Sequence, residues 1–264
     1  MTESPLLALS GIRLAFAGNT VLDDVRFEVP RSAIVSLIGP NGAGKTSLFN
    51  CITGFYKPQE GSIVFDGHEL LKLKPHRVTA AGVARTFQNV RLFREMTVLE
   101  NVMSGMHCRT SAGAISAILR PPAQRREEEA IREFAQDCLR FVGVTEGLGR
   151  EATTLAYGHQ RRIEIARALA TKPKLILLDE PAAGLNSGEK QELIALIARI
   201  RDERDISVLL IEHDTGLVMK VSERVSVLDH GVMIAEGTAK EIQTNPRVIE
   251  AYLGQEGAEA SLGS

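Results

Sequence analysis

The chain has 264 residues, 44% hydrophobic and 24% charged, the balance of a globular protein with ample core. Its 31 Lys and Arg against 33 Asp and Glu leave a net charge of −2, which argues against a protein built to coat nucleic acid. No apolar run approaches the roughly 18–20 residues of a bilayer span, and the N-terminus lacks a signal-peptide pattern. Cys51, Cys108 and Cys138 are too widely spaced for a metal pattern and read as free thiols of a cytoplasmic protein.

In chain order, Ile12–Phe16 and Val25–Val29 alternate apolar and polar residues, as half-buried strands do. Ala33–Ile38 is almost continuously apolar, the mark of a parallel strand buried on both faces, and runs straight into Gly39. Ser62–Phe65 followed by Asp66-Gly67 predicts a hairpin turn. From about Val90 to Ala152 the β-rich runs stop. There Glu127–Phe141 places Ala130, Ile131, Phe134, Cys138, Leu139 and Phe141 at helical spacing. Arg161–Ala170 and Glu189–Arg204 read as helices, each leading to another continuously apolar strand, Leu175–Leu178 and Val208–Ile211. Helix alternating with buried strand is the pattern of a doubly wound α/β core. His107–Arg126, rich in small residues and arginines and holding Pro121-Pro122, has no assigned fold, and Gln255–Ser264 reads as a frayed tail.

One segment carries phosphate chemistry. Gly39-Pro40-Asn41-Gly42-Ala43-Gly44-Lys45-Thr46 fits G-x-x-x-x-G-K-[ST] in full. The glycines let backbone N–H groups curl around phosphate oxygens, and the helix that follows offers its positive N-terminus. Lys45 would reach the β- and γ-phosphates, the Thr46 hydroxyl would ligate Mg²⁺, and Ser47 stands next in the same helix. That helix turns Leu48, Phe49 and Ile52 inward, with Gly54 as its cap. A P-loop needs a partner carboxylate, and Leu175–Leu178 ends in Asp179-Glu180 at the carboxyl end of a strand. Asp179 would hold Mg²⁺ through its water shell, and Glu180 would polarise the attacking water.

These residues together resemble the ATP-binding subunits of ABC transporters, along most of the chain. Ala84-Arg-Thr-Phe-Gln88, read as a strand ending in Gln88, is similar to the Q-loop. Leu155-Ala156-Tyr157-Gly158-His159-Gln160 sits where the signature motif falls, Ala183-Gly-Leu-Asn186 resembles the D-loop, and His213 resembles the switch histidine. By itself Phe16 reads as a strand-core residue, but in the family pattern it falls where an aromatic stacks on adenine. The resemblance implies catalytic roles for Glu180, His213 and Gln88, and Mg²⁺ contacts from Thr46, Gln88 and Asp179. Nucleotide contacts are implied for Phe16, for residues 39–47 and, on a second subunit, for Leu155–Gln160. Ala156 lacks the hydroxyl usual at that position, leaving backbone N–H groups and a helix N-terminus to do its work.

The fold implied is a P-loop NTPase (RecA-like) α/β core with an N-terminal antiparallel β part and an inserted α-helical subdomain. Residues 6–89 and 160–240 would form the core, 90–159 the helical insert ending in the signature motif, and 241–264 a C-terminal extension. More narrowly, residues 84–98, the Leu-Ala-Tyr-Gly segment, Asp179–Asn186 and Ala251-Tyr-Leu-Gly254 look like the LivG type, which serves import of branched-chain amino acids. Relatives for urea, amides or lipopolysaccharide export share much of this pattern. The resemblance implies ATP and Mg²⁺ as cofactors and a second nucleotide subunit packed head to tail. It also implies two membrane permeases, a periplasmic binding protein beyond them, and a place on the inner face of the plasma membrane. Val90, Leu92, Phe93 and Met96 are either apolar contacts to a permease or core residues.

Overall fold

The fold is described from a computed structural model covering residues 4–108 and 122–252. The frayed-tail reading of Gln255–Ser264 lies outside those residues, as does most of His107–Arg126.

Strands β1 (Leu7–Phe16) and β2 (Asn19–Val29) form an antiparallel hairpin, with Phe16 opposite Asn19 across two left-handed residues, Ala17 and Gly18. Strand β3 (Ile34–Ile38) is buried at every residue and leads through residues 39–44 into helix α1 (Lys45–Ile52). Thr53 caps α1 and Gly54 follows in the left-handed region at φ 77°, one place beyond the cap expected of it. Strands β4 (Glu60–Phe65) and β5 (His68–Glu69) are joined by Asp66-Gly67, both left-handed, as the tightest hairpin turn requires. Helix α2 (Pro75–Ala81) opens on its proline and precedes β6 (Val83–Arg85). Strand β6 stops three residues short of Gln88, because the carbonyls of Phe87 and Gln88 are taken by Arg161 instead of a neighbouring strand.

The helical part follows. A capping box of Thr97 and Glu100 starts α3 (Val98–Met103), which runs into a 3₁₀ turn, Ser104–Cys108. Then come α4 (Pro122–Phe141), a second 3₁₀ turn at Ala152–Thr154 and α5 (Tyr157–Ala170). Strand β7 (Leu175–Asp179) returns to the sheet. Helix α6 (Ser187–Arg204) is capped by Asn186 and Glu189 and leads to β8 (Ser207–Ile211). Helix α7 (Thr215–Val221), strands β9 (Arg224–Asp229) and β10 (Val232–Gly237), helix α8 (Ala239–Gln243) and a last helical stretch, 246–252, complete the described chain.

The strands form two sheets. The antiparallel one has the order β2-β1-β4-β5, and the larger one runs β10-β9-β3-β8-β7-β6, parallel except at β10. The parallel strands are apolar at successive residues because both their faces are buried. Ile34, Ile176, Leu178, Val208 and Leu210 pack toward α3, α4, α5 and α6, whereas Val35, Leu37, Leu175, Leu177, Leu209 and Ile211 pack toward α1 and the antiparallel sheet. Helix α5 crosses the boundary placed at 159/160 and shares the first of these cores with both the insert and the sheet. Among the described side chains, Cys51 and Cys138 are free and buried, and burial pushes both thiols up to about 12, which keeps them protonated and inert.

The turn of β4 and β5 is tied to the larger sheet by charge. Asp66 is paired with Lys174, just ahead of β7, and at 2.5 Å with Arg31. Hydrogen bonds from Lys174 and then Arg31 hold its carboxyl at about 2, whereas an unfolded aspartate titrates at about 3.9. The folded carboxyl therefore gives up its proton more readily than the unfolded one. Its stabilisation is complete above pH ~4 and is lost as the pH falls toward ~2. Both cations are partly in water, so Asp66→Asn is expected to cost only about 1 kcal/mol near neutral pH. Unfolding curves for wild type and variant should converge between about pH 4 and 2; a gap that persists at the acid end would count against the ion pairs.

Candidate functional site

Three loops meet at the carboxyl ends of β3, β7 and β8. The first is the turn from Gly39 to Gly44. A Cβ at Gly39 would sit 1.9 Å from the Leu228 carbonyl oxygen, and one at Gly44 would lie 2.9 Å from that of Val21. Glycine is thus demanded here by the backbones behind the loop as well as by any ligand in front. Lys45 is buried and folds back on its own loop, its Nζ donating to the carbonyls of Gly39 (2.6 Å) and Pro40 (2.8 Å). Burial pulls its pKa down, against the nearby carboxylates of Glu180 and Asp179, which favour the charged form.

The second and third loops bring the acids and the histidine. Asp179, the last residue of β7, is buried and bonded to Arg85 Nη2 at 2.7 Å. Glu180 follows with φ 45°, a left-handed conformation that costs a non-glycine residue about 1 kcal/mol or more. Its N–H donates to the Ile211 carbonyl, and its side chain joins two others. Gln88 Nε2 donates to Oε2 at 2.7 Å, and His213 Nε2 stands 2.9 Å from Oε1. Asn41, Gly42, Ala43, Gly44, Lys45, Thr46, Ser47, Glu180 and His213, with Val21, line a cavity of about 210 Å³.

Other expected residues lie outside that cavity. Phe16 is 47% exposed at the tip of the β1–β2 hairpin and makes an edge-on contact with Tyr56, ring centres 5.1 Å apart. It is therefore not a core residue. The Leu155–Gln160 segment lies at the start of α5. Leu155 packs on the core, Ala156 occupies the cap position without a side-chain acceptor, and Tyr157 is exposed. The Gln160 amide donates to the carbonyls of Thr153 (3.0 Å) and Leu155 (2.8 Å), so it holds its own loop.

Sequence reasoning passed over three residues. Arg85 holds Asp179 and Asn50 while its guanidinium lies over Phe49 and Phe87. Buried Glu212 accepts from the backbone N–H of Ala182 (2.7 Å), His213 (3.0 Å) and Asp214 (3.3 Å), joining the β7 loop to the β8 loop. Tyr56 is the third. The signal available for Glu212 was a carboxylate directly after a fully apolar strand; for Arg85 and Tyr56 there was none.

A strand, a glycine turn closing on a buried lysine, and a carboxylate held by an amide and an imidazole describe a nucleotide-hydrolysing site. Residues 22–183 match the ABC transporter family. This chain belongs to it. As an ABC transporter ATPase it binds nucleotide and couples hydrolysis to transport. Residues 232–258 match a second family, the branched-chain amino acid ATP-binding cassette transporter. The chain is 48% identical to the high-affinity branched-chain amino acid transport ATP-binding proteins BraF of Pseudomonas aeruginosa and LivG of Salmonella typhimurium. These alignments cover 95% and 96% of this chain and 98% and 99% of the relatives. Among solved structures, the ADP conformation of MJ1267, an ATP-binding cassette of an ABC transporter, superposes with a TM-score of 0.83. It is 32% identical over 96% of this chain and all of that one. Among the described residues of this ABC ATPase, no helix is long and apolar enough to cross a membrane.

The Arg85–Asp179 pair yields a prediction. Arg85→Met strands a buried carboxylate, so urea unfolding should show a loss of about 3–5 kcal/mol. A loss below about 1 kcal/mol would mean that Asp179 is solvated.

Proposed function

We propose that this chain hydrolyses ATP on the rim of β3, β7 and β8 to power import of branched-chain amino acids. The observation that carries the chemistry is Glu180, bracketed by Gln88 and His213 opposite the glycine turn. The cargo is proposed from the relatives at 48% identity and from the matched C-terminal segment.

In this reading the backbone N–H groups of residues 39–44 bind the phosphates, and Lys45 exchanges its two carbonyl partners for phosphate oxygens. Phe16, beside Tyr56, gives the adenine a flat face. No group of three or more His, Cys, Asp or Glu side chains able to hold a metal ion by itself gathers among the described residues. A hydroxyl (Thr46), a carboxylate (Asp179) and an amide oxygen (Gln88) fit Mg²⁺, which keeps waters and takes substrate phosphates as ligands. When bound there, Mg²⁺ would neutralise charge building on the phosphates. Glu180 accepts a proton from the attacking water, and Gln88 and His213 hold its carboxylate in line.

The Leu155–Gln160 segment does not line the cavity, so a second nucleotide subunit, packed head to tail, would supply that cover. A groove of about 580 Å³ between α2, β6 and α5, lined by Phe55, Phe87, Arg91, Phe93 and Arg167, would receive a cytoplasmic segment of a permease. In this reading the chain would sit on the inner face of the membrane, with a periplasmic binding protein on the far side. Phe93, 51% exposed over Arg167, and Met96 are then contacts to the permease, while Leu92 packs on the core.

Glu180→Gln should keep ATP binding and lower hydrolysis by about 10²-fold or more, accumulating an ATP-bound dimer on size exclusion. Near-normal turnover would remove Glu180 as the base. Deleting the gene should abolish high-affinity uptake of radiolabelled leucine, isoleucine and valine, and intact uptake would reject the cargo. Phe93→Asp should leave basal hydrolysis by the purified chain unchanged and abolish transport; unaffected transport would place the permease elsewhere.

A further inference from the structure

The first two turns of α5 carry a charged pair where burial favours apolar residues. Arg161 and Glu164 are each 1% exposed and bonded to each other at 2.9 Å. The pair faces the segment that follows β6. Arg161 donates from Nη1 to the Phe87 carbonyl and from Nη2 to the Gln88 carbonyl, both at 2.6 Å. The other oxygen of Glu164 accepts from the N–H of Arg91 (3.2 Å) and, more weakly, of Phe87 (3.5 Å). The backbone from 87 to 91 is thereby bolted to α5 through two charged side chains, and Gln88 at its centre carries the amide that holds Glu180.

The same helix touches the loop after β7. Arg161 Nη2 also donates to the Tyr157 hydroxyl at 3.2 Å, and the Tyr157 ring lies so close to Gly184 that a Cβ there would meet it at 3.1 Å. Taking two charges out of water is costly, and an apolar pair would pack as well. What the ionic pair adds is direction. A guanidinium fork that grips two successive carbonyls fixes position and orientation together, which an apolar contact cannot do.

We propose that Arg161 and Glu164 are positioning residues for Gln88. They make the loop at 87–91 and the N-terminal turns of α5 one rigid body, so that displacement at either end resets the amide on Glu180. This deepens the proposed hydrolysis at Glu180 and rests on it.

The test uses the full-length purified chain with Arg161→Met, Glu164→Gln and the charge-free Arg161→Met/Glu164→Met, the last serving where a lone buried charge unfolds the single variants. Folded variants should bind ATP as the wild type does, with kcat down about tenfold or more and KM within about threefold. Arg161→Lys, which keeps the charge without the fork, should not restore the rate. In a Gln88→Ala background the charge-free pair should cost nothing further, because both changes remove the same placement. A folded charge-free variant with wild-type kcat, or a full additional loss on Gln88→Ala, overturns the proposal. If Glu180→Gln also turns over normally, the hydrolytic reading itself has failed; if Glu180→Gln is inactive, only the positioning role has.

Discussion

The site depends on the register of three parallel strands that have no solvent-facing side. Ile211 lies beside Leu37 on one flank and beside Asp179 on the other. The residues just past those points are the glycine turn, Glu180, and Glu212 with His213. A slip of one residue would move a strand end by about 3.3 Å and exchange its two buried faces. Glu180 would then lose both Gln88 and His213. The cost of repacking Leu177 or Leu210 against the wrong core is what keeps a catalytic distance fixed, so the core and the chemistry are one constraint.

Three charged side chains at this rim are buried, and each has a different kind of partner. Asp179 has a cation, Arg85. Glu212 has three backbone N–H groups, which suits a residue that joins loops. Lys45 has two carbonyl oxygens, which satisfy its hydrogen bonds without neutralising it. Of the three arrangements the last is the easiest to exchange, because a phosphate offers the same acceptor geometry plus full negative charge. On the proposed function the loop would hold its lysine in readiness with a bond weaker than the one the nucleotide supplies.

What could be read from the sequence were features whose cause is local. The buried strands showed as continuous apolar runs, the Asp66-Gly67 turn as a dipeptide, and the glycine turn as a spaced motif. The two features that escaped it most clearly have a distant cause. The strand expected through Gln88 ends at Arg85, and Arg161, more than 70 residues later, takes the carbonyls of Phe87 and Gln88. Arg85 acquires its role from a carboxylate 94 positions away. Gly54 was off by one because a helix end is set by φ and a few hydrogen bonds, not by composition.

A ligand can bias a conformational equilibrium only by the difference between its contacts in the two states. In this chain the glycine turn and the α5 N-terminus are separate surfaces, so a nucleotide held by one chain alone gains nothing from Ala156 to His159. In the proposed head-to-tail pair that gain would come only when a second subunit supplies them, which would make the contact free energy of α5 available for closing the pair. Because α5 is bolted to residues 87–91, closure at its N-terminus cannot leave Gln88 where it was. The groove proposed for a permease shares Phe87, Arg91 and Glu164 with that bolt. On the proposed function, a cargo signal arriving at the groove and a phosphate signal arriving at α5 would act on the same few backbone atoms, and each could oppose or assist the other without a separate relay.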